Sequence, residues 1–263
     1  LEDRGDFMPI DETYGEYEKY IKSIYLKSPP PEESYLSGLP VVKNLRKIKE
    51  LRFTSGVAFL VGENGTGKST LLEAIAVSLG FNAEGGSRNF RFSTADTHSA
   101  LNEYLTVVKG FHPKDGFFLR AESFYNAASY IDELDREPSF GAPLIDSYGG
   151  LSLHEQSHGE SFLALVKNRF GGSGIYLLDE PEAALSPSRQ MTLMVLMKEL
   201  VEKDSQFIIA THSPMLMAFP GAQVIELTEE DIRTVPYNRT EHFQLTKRFL
   251  NNPEKMLEML LGE

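Results

Sequence analysis

Cysteine is absent from the chain, so neither disulfides nor thiolate metal sites can hold the fold together, and a reducing compartment, read as the cytoplasm, is expected. Long apolar runs are missing as well. No stretch approaches the roughly 18 uninterrupted apolar residues of a membrane span, and the acidic opening LEDRGDFMPIDETYGEYEKY lacks the apolar centre of an export signal. Basic residues are outnumbered: 26 Lys and Arg stand against 38 Asp and Glu, a net charge of −12. That balance opposes attraction to phosphate backbones, so direct nucleic-acid binding would need a local basic patch. The best candidate, KNLRKIKELR at 43–52, alternates charge with Leu and Ile and suits a half-exposed helix or strand at least as well.

What remains is the composition of a globular protein, 41% hydrophobic and 24% charged over 263 residues, enough chain for one elaborated domain. Residues 1–18 read as an acidic, solvated extension, and 19–263 as a single domain with a helical tail from about 251. YIKSIYL and GVAFLVG read as strands, and KSTLLEAIAVSLG as a helix with Leu71, Leu72, Ile75 and Leu79 at helical spacing. In the middle, NFRFSTAD and GFFLRAES read as strands, and ALNEYLTVVKG and NAASYIDELDR as helices. A helix beginning near Ser161, the buried strand of GIYLLDEPEAALS, the helix PSRQMTLMVLMKELVEK and the strand QFIIATHSP follow. This alternation implies an α/β fold with a largely parallel sheet between helices.

GENGTGKST, residues 62–70, satisfies G-x-x-x-x-G-K-[ST], a pattern that average residue frequencies produce by chance in such a chain about once in a hundred. It follows a strand and opens a helix, which is the context the motif requires. Gly62, Gly65 and Gly67 let successive N–H groups, with those of Glu63, Asn64 and Thr66 among them, face inward as an anion cradle at a helix N-terminus. Lys68 can reach β- and γ-phosphate oxygens, Ser69 can ligate Mg²⁺, and Thr70 lies near the α-phosphate. Asp179 ends an apolar strand where it can hold Mg²⁺. Glu180 follows as the group to orient and deprotonate an attacking water. His212 also follows a buried strand and can meet the γ-phosphate.

In chain order the glycine loop, QSHGES, IYLLDEPEAALS and ATHSP resemble the motifs of the ATP-binding-cassette (ABC) ATPases. The resemblance runs from about residue 20 to 235 and implies an α/β P-loop NTPase fold of the ABC-ATPase kind, a largely parallel sheet flanked by helices with an antiparallel β portion. It places Ser157 and Gly159 on the family's signature Ser and second Gly. Gln156, His158 and Glu160 depart from the commonest residues, and Glu in that last place is familiar from the SMC and RecF-like branch. By the same resemblance Ser157, Gly159 and Glu160 would complete a nucleotide bound by a second subunit, Ala184, Leu185 and Ser186 would pass between the two sites, and His212 would be the switch histidine. A conventional glutamine loop is not evident; Glu122 is the candidate metal or water contact in its place. Tyr25 and Tyr35 are candidate adenine-stacking residues. Lys68 and Ser157 are 89 residues apart (157 − 68), too few for the long coiled coil of SMC-type proteins.

The resemblance thus implies Mg-ATP binding and hydrolysis, with ATP and Mg²⁺ as cofactors, an ATP-dependent homodimer closing head to tail, and room for an unidentified protein partner. The alternatives are a nucleotide-dependent binding module of a DNA-repair or defence complex with little turnover, and the energy-coupling subunit of a transporter.

Overall fold

The computed structural model describes residues 20–88, 99–121 and 157–262. Its first half comprises β1 (Ile21–Leu26), α1 (Tyr35–Gly38), α2 (Pro40–Lys47), β2 (Leu51–Arg52), β3 (Val57–Val61), α3 (Lys68–Ser78), β4 (Leu105–Lys109) and β5 (Asp115–Arg120). The second half continues with α4 (His158–Arg169), β6 (Gly174–Asp179), α5 (Pro187–Val201), β7 (Gln206–Ala210), α6 (Pro214–Met217), β8 (Gln223–Leu227), β9 (Ile232–Thr234), α7 (Glu241–Asn251) and α8 (Pro253–Leu261).

Strands β3, β6, β7 and β8 are buried along their whole length because helices or the second sheet cover both faces. With β5 and β9 they form one sheet in the order β5-β6-β7-β3-β8-β9, parallel throughout except for the antiparallel edge strand β9. Successive residues point to opposite faces. Ala58, Leu60, Leu177, Ile208 and Ile225 enter one core with α2, α3 and the small sheet. Phe59, Tyr176, Leu178, Phe207 and Ile209 enter the other with α4 and α5. The small sheet, β2-β1-β4, is antiparallel. The α/β class, with a largely parallel sheet and an antiparallel portion, is therefore as the sequence implies.

Three segments differ from the sequence reading. ALNEYLTVVKG was expected to be a helix; it is a 3-10 turn, Ala100–Glu103, capped by Ser99, and then strand β4. Thr106, Val107 and Val108 form a β-branched run that loses rotamer freedom in a helix, and pairing with β1 gives it a partner. Helix α4 starts at His158 rather than near Ser161, because Ser157 is its N-cap and Glu160 its N3 residue. Helical structure near the C-terminus begins at Glu241 rather than about 251, since α7 precedes α8. Neither of these two helices buries a residue, and Leu245, Leu250, Leu257, Met259, Leu260 and Leu261 stand exposed on them.

The expected strand 89–96, the expected helix 126–136 and the extension 1–18 lie outside the described residues, as do Gln156 and Glu122. Among the described residues, no helix is long and apolar enough to cross a membrane.

Candidate functional site

In an open parallel sheet the loops that leave the carboxyl ends of the strands converge on one edge, and that is where ligand sites form. Here β3, β6 and β7 lie side by side, so the loop after β3, Asp179 at the end of β6 and His212 just beyond β7 share that edge. Proximity therefore follows from strand order.

The loop 62–67 needs its glycines. Gly62, Gly65 and Gly67 have φ of 144°, 82° and 97°, backbone conformations that an L side chain rarely adopts. At Gly62 a Cβ would lie 2.1 Å from the Leu227 carbonyl oxygen, so a side chain there would push the loop off β8. Gly67 is the N-cap of α3, and a Cβ there would lie 2.4 Å from Val41 Cγ1. Lys68 folds back over the loop, its Nζ donating to the carbonyl oxygens of Gly62 and Glu63 at 2.9 and 3.0 Å. Burial pushes its ammonium below the usual lysine range, against the opposing pull of the Glu180, Asp179, Glu63 and Glu182 carboxylates. A buried cation folded over a glycine loop at a helix N-terminus is an environment that an anion would stabilise.

Ser69, in the first turn of α3, donates its hydroxyl to Asp179 Oδ1 at 2.8 Å. Among the described residues no group of three or more His, Cys, Asp or Glu is arranged to hold a metal. Two adjacent oxygens, from Ser69 and Asp179, nevertheless fit Mg²⁺, which keeps few protein ligands and draws the rest from phosphate and water. Arg120 at the end of β5 lies 3.5 Å from Asp179 Oδ2 through Nε and binds Glu73 Oε2 at 2.8 Å through Nη1. It adds positive charge beside the carboxylate.

Glu180 has left-handed backbone angles, φ 49° and ψ 52°, unusual for a residue with a side chain. Its N–H donates to the Ala210 carbonyl at 2.9 Å, tying it to the end of β7. That turn leaves the side chain 38% exposed, with Oε1 3.6 Å from His212 Nε2. His212 Nδ1 in turn lies 2.8 Å from Nε2 of His242, the second residue of α7. Burial, then the charges of Lys68 and His242, lower the His212 pKa, which favours its neutral form.

Glu182 was not singled out from the sequence. It accepts the Thr211 hydroxyl at 2.8 Å on one oxygen and the His212 N–H on the other, so it fixes the backbone that carries the imidazole. Burial raises its pKa above the ordinary carboxylate value, against the hydrogen bonds that lower it. Its place in DEPE was the one available signal. His242 had none, because it is 30 residues from its partner.

Ser157, Gly159 and Glu160 form a separate cluster at the start of α4. The Ser157 hydroxyl and N–H both donate to Glu160 Oε2, and Arg189 reaches Ser157 Oγ at 3.2 Å and Glu160 Oε1 at 3.0 Å. These bonds, those from Ser157 first, hold the Glu160 carboxyl below its usual range. A Cβ at Gly159 would lie 2.9 Å from the Ala184 carbonyl oxygen and 2.6 Å from Arg189 Nη1, so α4 starts hard against the 184–189 segment. Leu185 of that segment is buried and Ser186 caps α5. Ser157 and Glu160 themselves are exposed. Tyr25 and Tyr35, 37% and 66% exposed, lie in β1 and α1.

Two family profiles fall on these features: one described as "AAA domain" matches residues 41–119, and one described as "AAA domain, putative AbiEii toxin, Type IV TA system" matches residues 151–218. The first spans the glycine loop and the second the acid strand and His212. These matches support reading the chain as similar to the ABC/SMC-like P-loop ATPases. Among curated relatives, the chain is 26% identical over 195 residues to the ribose import ATP-binding protein RbsA of Halalkalibacterium halodurans, covering 67% of the chain and 37% of that protein. It is 23% identical over 223 residues to the macrolide export ATP-binding/permease protein MacB of Hahella chejuensis, covering 75% and 32%. The chain thus spans about a third of the length of these relatives. Among solved structures, the SMC head domain from Thermotoga maritima aligns over 82% of this chain and 98% of its own, with 16% identity and a TM-score of 0.41.

Proposed function

We propose that this domain binds Mg-ATP on the loop 62–70 and hydrolyses it, and that two copies close head to tail around two nucleotides. The observation that carries the hydrolytic reading is the meeting of Ser69 with Asp179 at 2.8 Å, beside a Glu180 held within 3.6 Å of His212. The loop amides and Lys68 would bind the phosphates, with Thr70 nearby. Ser69 and Asp179 would hold Mg²⁺, which when bound would neutralise phosphate charge. Glu180 would orient and deprotonate water, and a donor on His212 would meet the terminal phosphate.

The dimer reading is supported by the exposure of Ser157 and Glu160 and by their ties to the 184–189 segment. Presented at a helix N-terminus, the Ser157 hydroxyl and the neighbouring amides, with Gly159 allowing close approach, would complete a nucleotide held by a second copy. ATP would then favour the closed pair by its difference in affinity for the two states.

A second reading, a nucleotide-dependent binding module with little turnover, is favoured by the exposed apolar residues on α7 and α8, which suit a protein partner. Phosphate release under excess ATP separates the two. Steady turnover by the native domain, lost in Glu180→Gln with ATP binding kept, supports hydrolysis; equal release by both proteins would refute the role given to Glu180.

A further inference from the structure

We propose that His242 is a positioning residue of the ATPase site: its Nε2–H donates to Nδ1 of His212 and so fixes the tautomer in which His212 Nε2 carries the proton that faces the reacting phosphate. This rests on the hydrolytic reading above and extends it to a residue outside every motif in the sequence.

The bond itself is short, 2.8 Å between ring nitrogens. The two rings can share it only if one nitrogen donates and the other accepts, so its direction sets which nitrogen of the neutral His212 ring carries the proton. That direction follows from the other end of His212. Nε2 is buried, has no hydrogen-bond partner among the described residues, and lies 3.6 Å from Glu180 Oε1. A lone pair aimed at a carboxylate is repelled, whereas an N–H is attracted. His212 therefore carries its proton on Nε2 and accepts on Nδ1, which makes His242 the donor. The lowered basicity of His212 keeps the ring in the neutral form for which this choice matters.

His242 is itself held for the task. Its helix is capped by Thr240, which is fully buried, accepts the Phe243 N–H at 3.4 Å and donates to the Tyr237 carbonyl at 2.7 Å. The Tyr237 and Phe243 rings meet edge to face at 5.3 Å between centroids. These contacts fix the first turn of α7, while Glu182 fixes the His212 backbone from the opposite side. The imidazole is thus located at both ends, and the seating of α7 becomes a condition for a complete site. The cavity of about 350 Å³ between the glycine loop, the end of β8 and the start of α7, with Asn64, Thr228 and His242 in its wall, leaves that helix start open along its other flank.

The direct test is nitrogen-15 chemical shifts of the histidine rings in the full chain, with His212 identified by its loss in His212→Ala. A pyridine-type Nδ1 and a pyrrole-type Nε2 on His212 are expected, and the reverse would overturn the inference. Steady-state kinetics give the second arm. His242→Ala is expected to lower kcat about 10–100-fold, by analogy with groups that orient metal-binding imidazoles, with KM for ATP little changed. His242→Gln, which places an amide donor near the lost Nε2–H, is expected to restore most of kcat. His242→Glu, which can only accept, is expected to be as slow as His242→Ala. If His242→Ala does not fold, the Gln and Glu pair decides. Equal kcat in that pair, or native kcat in His242→Ala, overturns the proposal. Glu180→Gln in the same assay keeps the two readings apart: undiminished turnover there would undo the hydrolytic reading itself.

Discussion

Replacing Glu182 by Ala removes the acceptor for two groups at once, the Thr211 hydroxyl and the His212 N–H. Thr211 is fully buried. A buried donor left without an acceptor costs about 1–3 kcal/mol, and the Thr211 hydroxyl can reorient while Glu182 is itself partly exposed, so about 2–3 kcal/mol in total is expected rather than the upper sum. For a chain of this size that lowers Tm by about 4–12 °C. Glu182→Gln keeps one carbonyl acceptor and sheds the charge whose burial is unfavourable, so its loss is expected to stay below about 1 kcal/mol. Turnover in Glu182→Ala falls as well, because the segment carrying His212 loses its tether. Thermal unfolding followed by circular dichroism, with phosphate release on the same samples, measures both. A Tm for Glu182→Ala within about 2 °C of the native value, or equal losses in the two variants, would refute the anchor.

The same pair of proteins has a pH signature. The folded carboxyl of Glu182 keeps its proton to higher pH than the unfolded one. The folded state therefore binds more protons between those two pKa values, and stability falls as pH rises through that window. Glu182→Gln lacks this component, so native stability relative to Glu182→Gln is greatest below the unfolded carboxylate pKa and declines above it. A constant difference across acidic pH would contradict the assignment.

Two further outcomes follow from the loop. Gly62→Ala sets a Cβ 2.1 Å from the Leu227 carbonyl, so the loop must shift; loss of binding of a fluorescent ATP analogue is expected, and unchanged affinity would contradict the cradle. Ser69→Ala removes one of the two oxygens assigned to Mg²⁺, so half-maximal turnover should require more Mg²⁺, and chelation should stop turnover in both proteins. An unchanged Mg²⁺ dependence would refute that assignment.

The central strands and the glycine loop were legible in the sequence because their signals are local. Four or five consecutive apolar residues mark a strand covered on both faces, and three glycines just before Lys68 mark a turn that few other residues can form. Asp179, Glu180 and His212 could be placed at strand ends for the same reason. What joins them is not local: Glu182 to Thr211, His212 to His242 and Arg120 to Asp179 are contacts set by strand order and helix seating. ALNEYLTVVKG misled because its apolar spacing fits a helix, while its β-branched run found a strand partner in β1. Helix α7 does carry apolar residues, Phe243, Leu245, Phe249 and Leu250, but none of them is buried in a core.

The most direct measurement is the mass, by light scattering, of Glu180→Gln with and without ATP, alongside the double variant that adds Ser157→Arg. The account predicts a mass that doubles with ATP in the first protein, and a monomer that still binds ATP in the second. A Glu180→Gln protein that holds ATP yet stays monomeric would contradict it, as would a doubled mass in the double variant.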